Sequence, residues 1–227
     1  MKRRMLLKTT ALAFSSPLAL LAGKSPAKAA GPRLSNDDYY TNGRFDEEKA
    51  KDGVLAMCRA FGYPVFPGMR EKLWVSDYGT GQYAKLGLAA CIFENHYEEG
   101  GSYMLLDLFL MPDQMLPEHW HLEGDHGIEK NEGWLVRWGK SYVVGAGEDS
   151  LSSFPQIKIP QCHCNGTATT GHVVEATPGM FVPLPKMGTR HWQYGGPEGA
   201  IVTEVANYHT GHAVRHSDPE INRYFLQ

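Results

Sequence analysis

From residue 73 onward the chain is a succession of short apolar or alternating runs, at 73–76, 85–93, 103–110, 134–144, 172–175, 180–184 and 200–205. Runs of this length and pattern are strand signals. Between them stand breakers: Gly79-Thr80-Gly81, Gly100-Gly101, Pro112-Asp113, Gly145-Ala146-Gly147, Pro178-Gly179 and Gly195-Gly196-Pro197. Such a row predicts antiparallel strands that either pack as a sandwich or close into a small barrel, removing exposed edges. Residues 46–61 read differently, with acids in the first turn and Val54, Leu55, Met57, Cys58 and Phe61 apolar, so a helix is predicted there, stopped by Gly62 and Pro64. The polar, proline-containing stretch 149–171 predicts a long excursion between the two halves of the strand assembly.

Composition sharpens this to a mainly β chain: 25 glycines and 14 prolines in 227 residues suit many turns, and 42% apolar residues suffice for one core. The first residues stand apart. Lys2, Arg3 and Arg4 precede an apolar run at 9–22 and the small-residue site Ala27-Lys28-Ala29, the form of a signal peptide over 1–29. Arg3-Arg4-Met5-Leu6-Leu7-Lys8 resembles the twin-arginine type, which predicts a periplasmic destination. The apolar run is shorter than the roughly 20 residues a spanning helix needs, so no membrane segment is expected in the mature form. The expected organisation is therefore leader 1–29, helical extension 30–70 and β barrel 71–227. Six of the 22 basic residues and none of the 25 acids fall in the leader, so the remainder carries 16 basic against 25 acidic residues, net −9. That balance argues against a nucleic-acid partner. Cys58, Cys91, Cys162 and Cys164 fit either a disulfide or free thiols, and Cys162-His163-Cys164 lacks the second cysteine pair of a zinc site.

The chemistry concentrates downstream. In His119-Trp120-His121 the histidines are two apart, so on an extended chain both imidazoles point to one side and Trp120 to the other, offering two nitrogen ligands to one ion. Glu132 leads directly into the run 134–144, where alternation predicts Glu132, Trp134, Val136 and Trp138 on one face. Gly179, Pro185, Gly188 and His191 place a third imidazole at another strand start. His126 is the alternative to Glu132 as fourth ligand; Glu132 is preferred because it leads directly into a strand and mixed nitrogen and oxygen ligation suits a divalent ion.

This constellation resembles the cupin superfamily, in which His-x-His, a glutamate and a later histidine hold a metal inside a jelly-roll-like, double-stranded β-helix barrel. Glu132 to Gly139 and Gly179 to Pro185 fit its two motifs. Asp113 replaces a motif glycine, and ten residues separate His121 from Glu132, more than in most cupins. Asp77-Tyr78-Gly79, Lys85-Leu86-Gly87-Leu88, Pro117-Glu118-His119-Trp120-His121, Lys130-Asn131-Glu132, Arg137-Trp138-Gly139-Lys140, His191-Trp192 and the stretch 198–204 are together similar to bacterial D-lyxose isomerases of the short cupin type, where the long gap before the glutamate also occurs. The resemblance implies a manganese-dependent aldose–ketose isomerase, usually a homodimer, with His119, His121, Glu132 and His191 on the metal and zinc or iron as other candidates. Isomerisation needs a base beside the reacting carbon. Glu204, on a strand face with Ala200 and Val202, is the candidate, and Lys130 the candidate cation or acid partner. His209, His212 and Arg215 suggest a lid, and Trp120, Trp134, Trp138, Trp192 and Tyr194 suggest an aromatic pocket lining. A cupin dioxygenase and a non-catalytic sugar-binding cupin remain alternatives.

Overall fold

The computed structural model describes residues 34–227, so the leader expected at 1–29 lies outside the described residues. A 3-10 turn over Asn36–Tyr39 leads into a small hairpin, β1 (Tyr40–Thr41) against β2 (Arg44–Phe45). α1 (Glu47–Phe61) follows, its start fixed by the Asp46 carboxylate, which accepts a hydrogen bond from the Lys49 amide at 3.3 Å, and its end by Gly62 in the left-handed region at φ 69°. This matches the helix predicted from apolar spacing. A single turn, α2 (Met69–Lys72), then leads into the sheet.

Nine strands form one curled antiparallel sheet: β3 (Leu73–Ser76), β4 (Leu88–His96), β5 (Tyr103–Leu110), β6 (Met115–His121), β7 (Glu132–Gly145), β8 (His172–Ala176), β9 (Phe181–Pro183), β10 (His191–Ala206) and β11 (Val214–His216). Their order is β11-β6-β10-β5-β4-β3, with β7 on the other side of β10 and carrying β8 and β9. A short α3 (Pro219–Phe225), capped by Asp218, closes the chain where no helix was expected.

β10 organises the curl. Its first residues pair with β6 and its last with β5, while β7 follows it along both stretches. The breaker Gly195-Gly196-Pro197 predicted a turn and a strand only at 200–205, yet the strand runs through it. Between Gly195↔Ser141 and Ala200↔Gly139 the register jumps, so this stretch is a bulge in which Pro197 breaks no ladder bond. Gly139 must be glycine here, because at φ 72° an added Cβ would collide with the Gly199 carbonyl. A second irregularity corrects the expected strand face. Ile201 pairs with Trp138 but Val202 with Val136, so Arg137 is bulged out and Trp138 turns outward to stack on Phe61.

The inner face of the curl carries one apolar core, including Leu88, Leu106, Leu108, Trp134, Val136 and Val202. On the outside, α1 lays Ala50, Val54, Met57 and Cys58 against Ala89, Cys91, Phe109 and Ile201. The excursion after β7 covers another outer face, with Ile157, Phe154 and Leu151 packed on Tyr142, Trp192 and Tyr194. These placements follow from strand alternation, which sends successive side chains to opposite faces. Near the start of β6, Met115 N donates to the Lys85 carbonyl at 2.8 Å and Gly87 N to the Met115 carbonyl at 3.0 Å, tying the β4 side of the curl to the β6 side. No helix among the described residues is long and apolar enough to cross a membrane.

Candidate functional site

The two imidazoles of β6 point inward as the two-residue spacing requires, and pairing brings a third beside them. His191 opens β10 directly opposite His119. The coordinating nitrogens of His119, His121 and His191 lie within 4.8 Å of one another, an arrangement able to hold a metal ion. Two of the three rings are aimed from behind: His119 Nδ1 meets the Pro117 carbonyl at 2.9 Å and His191 Nδ1 the Thr189 carbonyl at 3.0 Å. A backbone acceptor on Nδ1 fixes the tautomer that leaves the Nε2 lone pair free for a metal.

Glu132, the first residue of β7, completes the set. Its Oε1 stands 3.2 Å from His121 Nε2 and 3.2 Å from His191 Nε2. All three of these atoms are buried without a hydrogen-bond partner. Buried polar atoms are ordinarily paired, so three orphans converging on one point fit a divalent cation. His126, the alternative fourth ligand, is elsewhere: it sits exposed in a turn at φ 63° and stacks on Tyr97.

Beside this cluster lies an ionic chain. Lys130 Nζ reaches Glu132 Oε2 at 3.0 Å and Glu204 Oε1 at 2.6 Å, and Trp134 Nε1 donates to Glu204 Oε2 at 3.2 Å. Lys130 is 7% exposed, so it is not a solvated surface lysine, and it is the charged partner of Glu204. Burial pushes Glu204 up to about 7, against the pull of Lys130. Burial also raises Glu132, but Lys130, His191 and His121 outweigh it and hold that carboxyl well below the ordinary value. Lys130 is itself pulled down by burial and pushed up more strongly by the two carboxylates. The resulting charge pattern is a fixed carboxylate at Glu132, a fixed cation at Lys130, and one acid, Glu204, poised near neutrality.

A cavity of about 310 Å³ opens beside the cluster, lined on this side by His119, His121, Lys130, Glu204, His209 and His216. Of the expected lid, only His209 reaches it; His212 faces Asp125 at 3.3 Å and Arg215 donates to the His212 and Val214 carbonyls. His216 was not singled out from sequence. It arrives because β11 pairs with β6, setting His216 opposite His119, and the alternation of Val214 with His216 is the signal that would have found it. Of the five expected aromatics, Trp134 alone touches the site, its ring centroid 5.1 Å from that of His191. Trp120 lies under Arg190, Trp138 against α1, and Trp192 and Tyr194 in the outer core. All four cysteines are free thiols, and Cys162 and Cys164 take no part in the metal cluster.

Burial depresses His121 to about 4 and His209 and His216 to about 3, and it lowers His119 and His191 as well. An unfolded imidazole binds its proton near pH 6.5, so between that pH and the folded value the unfolded chain holds more protons and folding is weakened. Glu204, raised to about 7, acts in the opposite sense as the pH falls from there, but it is one group against five imidazoles. The urea midpoint of the metal-free protein should therefore fall steadily below about pH 6.5, each uncompensated imidazole contributing up to about 1.4 kcal/mol per pH unit. A midpoint unchanged between pH 7 and pH 5 would mean that the imidazoles are solvated.

Comparison with known proteins places this geometry in context. No protein-family model matches the chain. The D-lyxose ketol-isomerase of Cohnella laeviribosi is 35% identical over 177 residues, covering 77% of this chain and 92% of the relative. The D-lyxose/D-mannose isomerase of Thermosediminibacter oceani is 30% identical over 176 residues, 78% of this chain and 93% of the relative. Among solved structures, L-ribose isomerase of Cellulomonas parahominis superposes with TM-score 0.56 at 16% identity, over 79% of this chain and 95% of that one. L-ribose isomerase of Acinetobacter sp. DL28, solved with L-ribose, gives 0.56 at 16% identity, over 80% and 94%. The structural likeness establishes the fold, that of cupin-type sugar isomerases. With sequence identity of this extent over more than three quarters of its length, the chain belongs to the D-lyxose ketol-isomerase family.

Proposed function

We propose that this protein is a metal-dependent aldose–ketose isomerase that converts D-lyxose to D-xylulose and also accepts D-mannose, giving D-fructose. Supporting it are the family and one observation in particular: Glu204, a buried carboxylate poised near neutrality, lines the same cavity as His119 and His121. His119, His121, Glu132 and His191 would hold the ion. This mixed donor set suits manganese, with zinc or iron as alternatives. When bound, a divalent ion would act as a Lewis acid, stabilising the negative charge that develops on the sugar oxygens.

The chain's own groups do the rest. Glu204 takes the proton from C2, next to the carbonyl, and returns it to C1 while the O2 hydroxyl proton passes to O1, a transfer that needs no oxidant because the two carbons exchange oxidation levels. A carboxyl whose proton affinity is close to the working pH serves both halves of that transfer. Lys130 holds Glu204 in place and balances the negative charge of Glu132 and Glu204, and Trp134 fixes the other Glu204 oxygen. The mature protein acts as a homodimer in the periplasm, the destination that the amino-terminal motif suggests.

The test is proton exchange. Manganese-loaded protein incubated with D-lyxose in deuterated water should give D-xylulose and carry deuterium into the sugar at C1 or C2; no turnover and no deuterium in either D-lyxose or D-mannose would end the isomerase reading. The metal site has its own check. Manganese at a hundredfold excess over its Kd should stabilise the protein by about 2.7 kcal/mol, read as a rise in Tm, and His191→Ala should remove most of that rise. An equal rise in the variant would place the ion elsewhere.

A further inference from the structure

The cavity beside the histidine cluster has two unlike halves. The groups His119, His121, Lys130, Glu204, His209 and His216 form one arc. The facing half is built by the inward positions of β4 and β5, namely Leu88, Ala90 and Ile92 with Met104, Leu106 and Leu108, which offer no side-chain nitrogen or oxygen, and Trp74 and Tyr78 stand between β4 and His216 where the two halves join. The two halves meet in register. Glu204 pairs across the sheet with Leu106, and Leu106 with Ile92.

Neighbouring strands are about 4.8 Å apart, so Leu106 begins one strand spacing from the carboxylate and Ile92 lies one further. From C2 of an aldose, four C–C bonds of about 1.5 Å lead to C6, enough to cross that first spacing. A sugar held at C1 and C2 by the arc therefore carries its far end onto aliphatic side chains. A hydroxyl delivered onto the buried side chains of Leu106, Leu108 and Met104 gives up water and gains no partner from them, whereas a methyl group loses nothing and buries apolar area.

We propose that among six-carbon aldoses this site takes 6-deoxy-D-mannose in preference to D-mannose, its terminal methyl group meeting Leu106 and Leu108. The assignment rests on the isomerase reading and narrows its substrate class. The unpartnered nitrogens of His209 and His216 serve the hydroxyls nearer the histidine cluster. The reaction is the same internal transfer, a proton leaving C2 and one arriving at C1, so the product is the 6-deoxy-ketose and no co-reactant is consumed.

The experiment compares kcat/KM for 6-deoxy-D-mannose and D-mannose with the manganese-loaded, full-length protein. A pocket of this kind discriminates against one added hydroxyl by about 10- to 100-fold, and that ratio is expected in favour of the deoxy sugar. Met104→Gln places an amide in the aliphatic half at similar volume and should pull the ratio toward one. Ile92→Thr, at a position already 39% exposed and so of little consequence for folding, should do the same. Calorimetric titration of both sugars into the manganese-loaded Glu204→Gln protein reads the preference without turnover. Tighter binding of the deoxy sugar supports the assignment even if the wild type turns over no aldose, a result that would instead sink the isomerase reading. Turnover of D-mannose as good as that of its deoxy analogue, or a ratio that neither substitution changes, overturns the assignment and leaves the isomerase reading standing.

Discussion

Replacing Glu204 by glutamine should lower proton exchange and isomerisation by about 10²- to 10⁴-fold, the usual contribution of a positioned general base, while manganese binding stays within a few-fold of wild type. The side chain is nearly isosteric, and its carbonyl oxygen can still accept from Lys130, whose Nζ keeps its 3.0 Å contact with Glu132. What is lost is the ability to carry a proton. The amide also presents a donor to Trp134 Nε1, so the 3.2 Å hydrogen bond to the indole is lost or the side chain turns over. Either outcome leaves the backbone hydrogen bonds that aim His119 and His191 in place, because Glu204 reaches the cluster through intermediaries, Lys130 and Glu132 on one side and Trp134 on the other. Glu204→Asp separates chemistry from shape: it keeps the base but withdraws it by about one bond, and misplacement on that scale costs on the order of 10²-fold. Exchange into deuterated water, with metal content measured on the same samples, decides the matter. A glutamine variant that exchanges at the wild-type rate would remove Glu204 from the mechanism.

The site was legible in sequence to the extent that it depends on local spacing. His119 and His121 are two apart on one strand, Glu132 and His191 each begin a strand, and these relations survive folding because alternation is a property of the backbone itself. Glu204 was readable for the same reason, from its face shared with Ala200 and Val202. Where register irregularities intervene, alternation misleads. Trp138 was placed inside by counting from Glu132, and the bulge at Arg137, which no residue in the stretch announces, turns it outward. The breaker at Gly195-Gly196-Pro197 was read as the end of a strand because glycine and proline usually interrupt ladders, whereas here they form the bend by which β10 passes from β6 to β5. His216 escaped for another reason: the alternation of Val214 with His216 marks only a strand, and its place opposite His119 comes from the pairing of β11 with β6, while Lys130 was singled out as a cation or acid partner without the distant contact with Glu204 that gives it that role.

Lys130→Met should be the most destabilising single change in the site, by about 3–5 kcal/mol in the metal-free protein. The lysine bridges two carboxylates, and all three side chains are less than a tenth exposed. Removing the cation leaves Glu132 and Glu204 buried with no counter-charge between them, and a buried carboxylate without a partner either protonates or unfolds the protein. Glu204 already lies up at about 7 through burial, and loss of Lys130 pushes it higher still, so it holds its proton at pH values where the wild type has released it. Two measurements follow from the same cause. The urea midpoint of the metal-free variant drops, and manganese restores part of the loss, since Glu132 then regains a cation beside its Oε1. In the metal-loaded enzyme the acid limb of kcat/KM moves to higher pH, because the base must be deprotonated to act and the sign of the shift follows the raised affinity for the proton. A lysine of merely surface character would give a change within about 0.5 kcal/mol and an unmoved pH profile. That pair of results would detach Lys130 from Glu204 and, with it, the account of why this carboxyl is poised where it is.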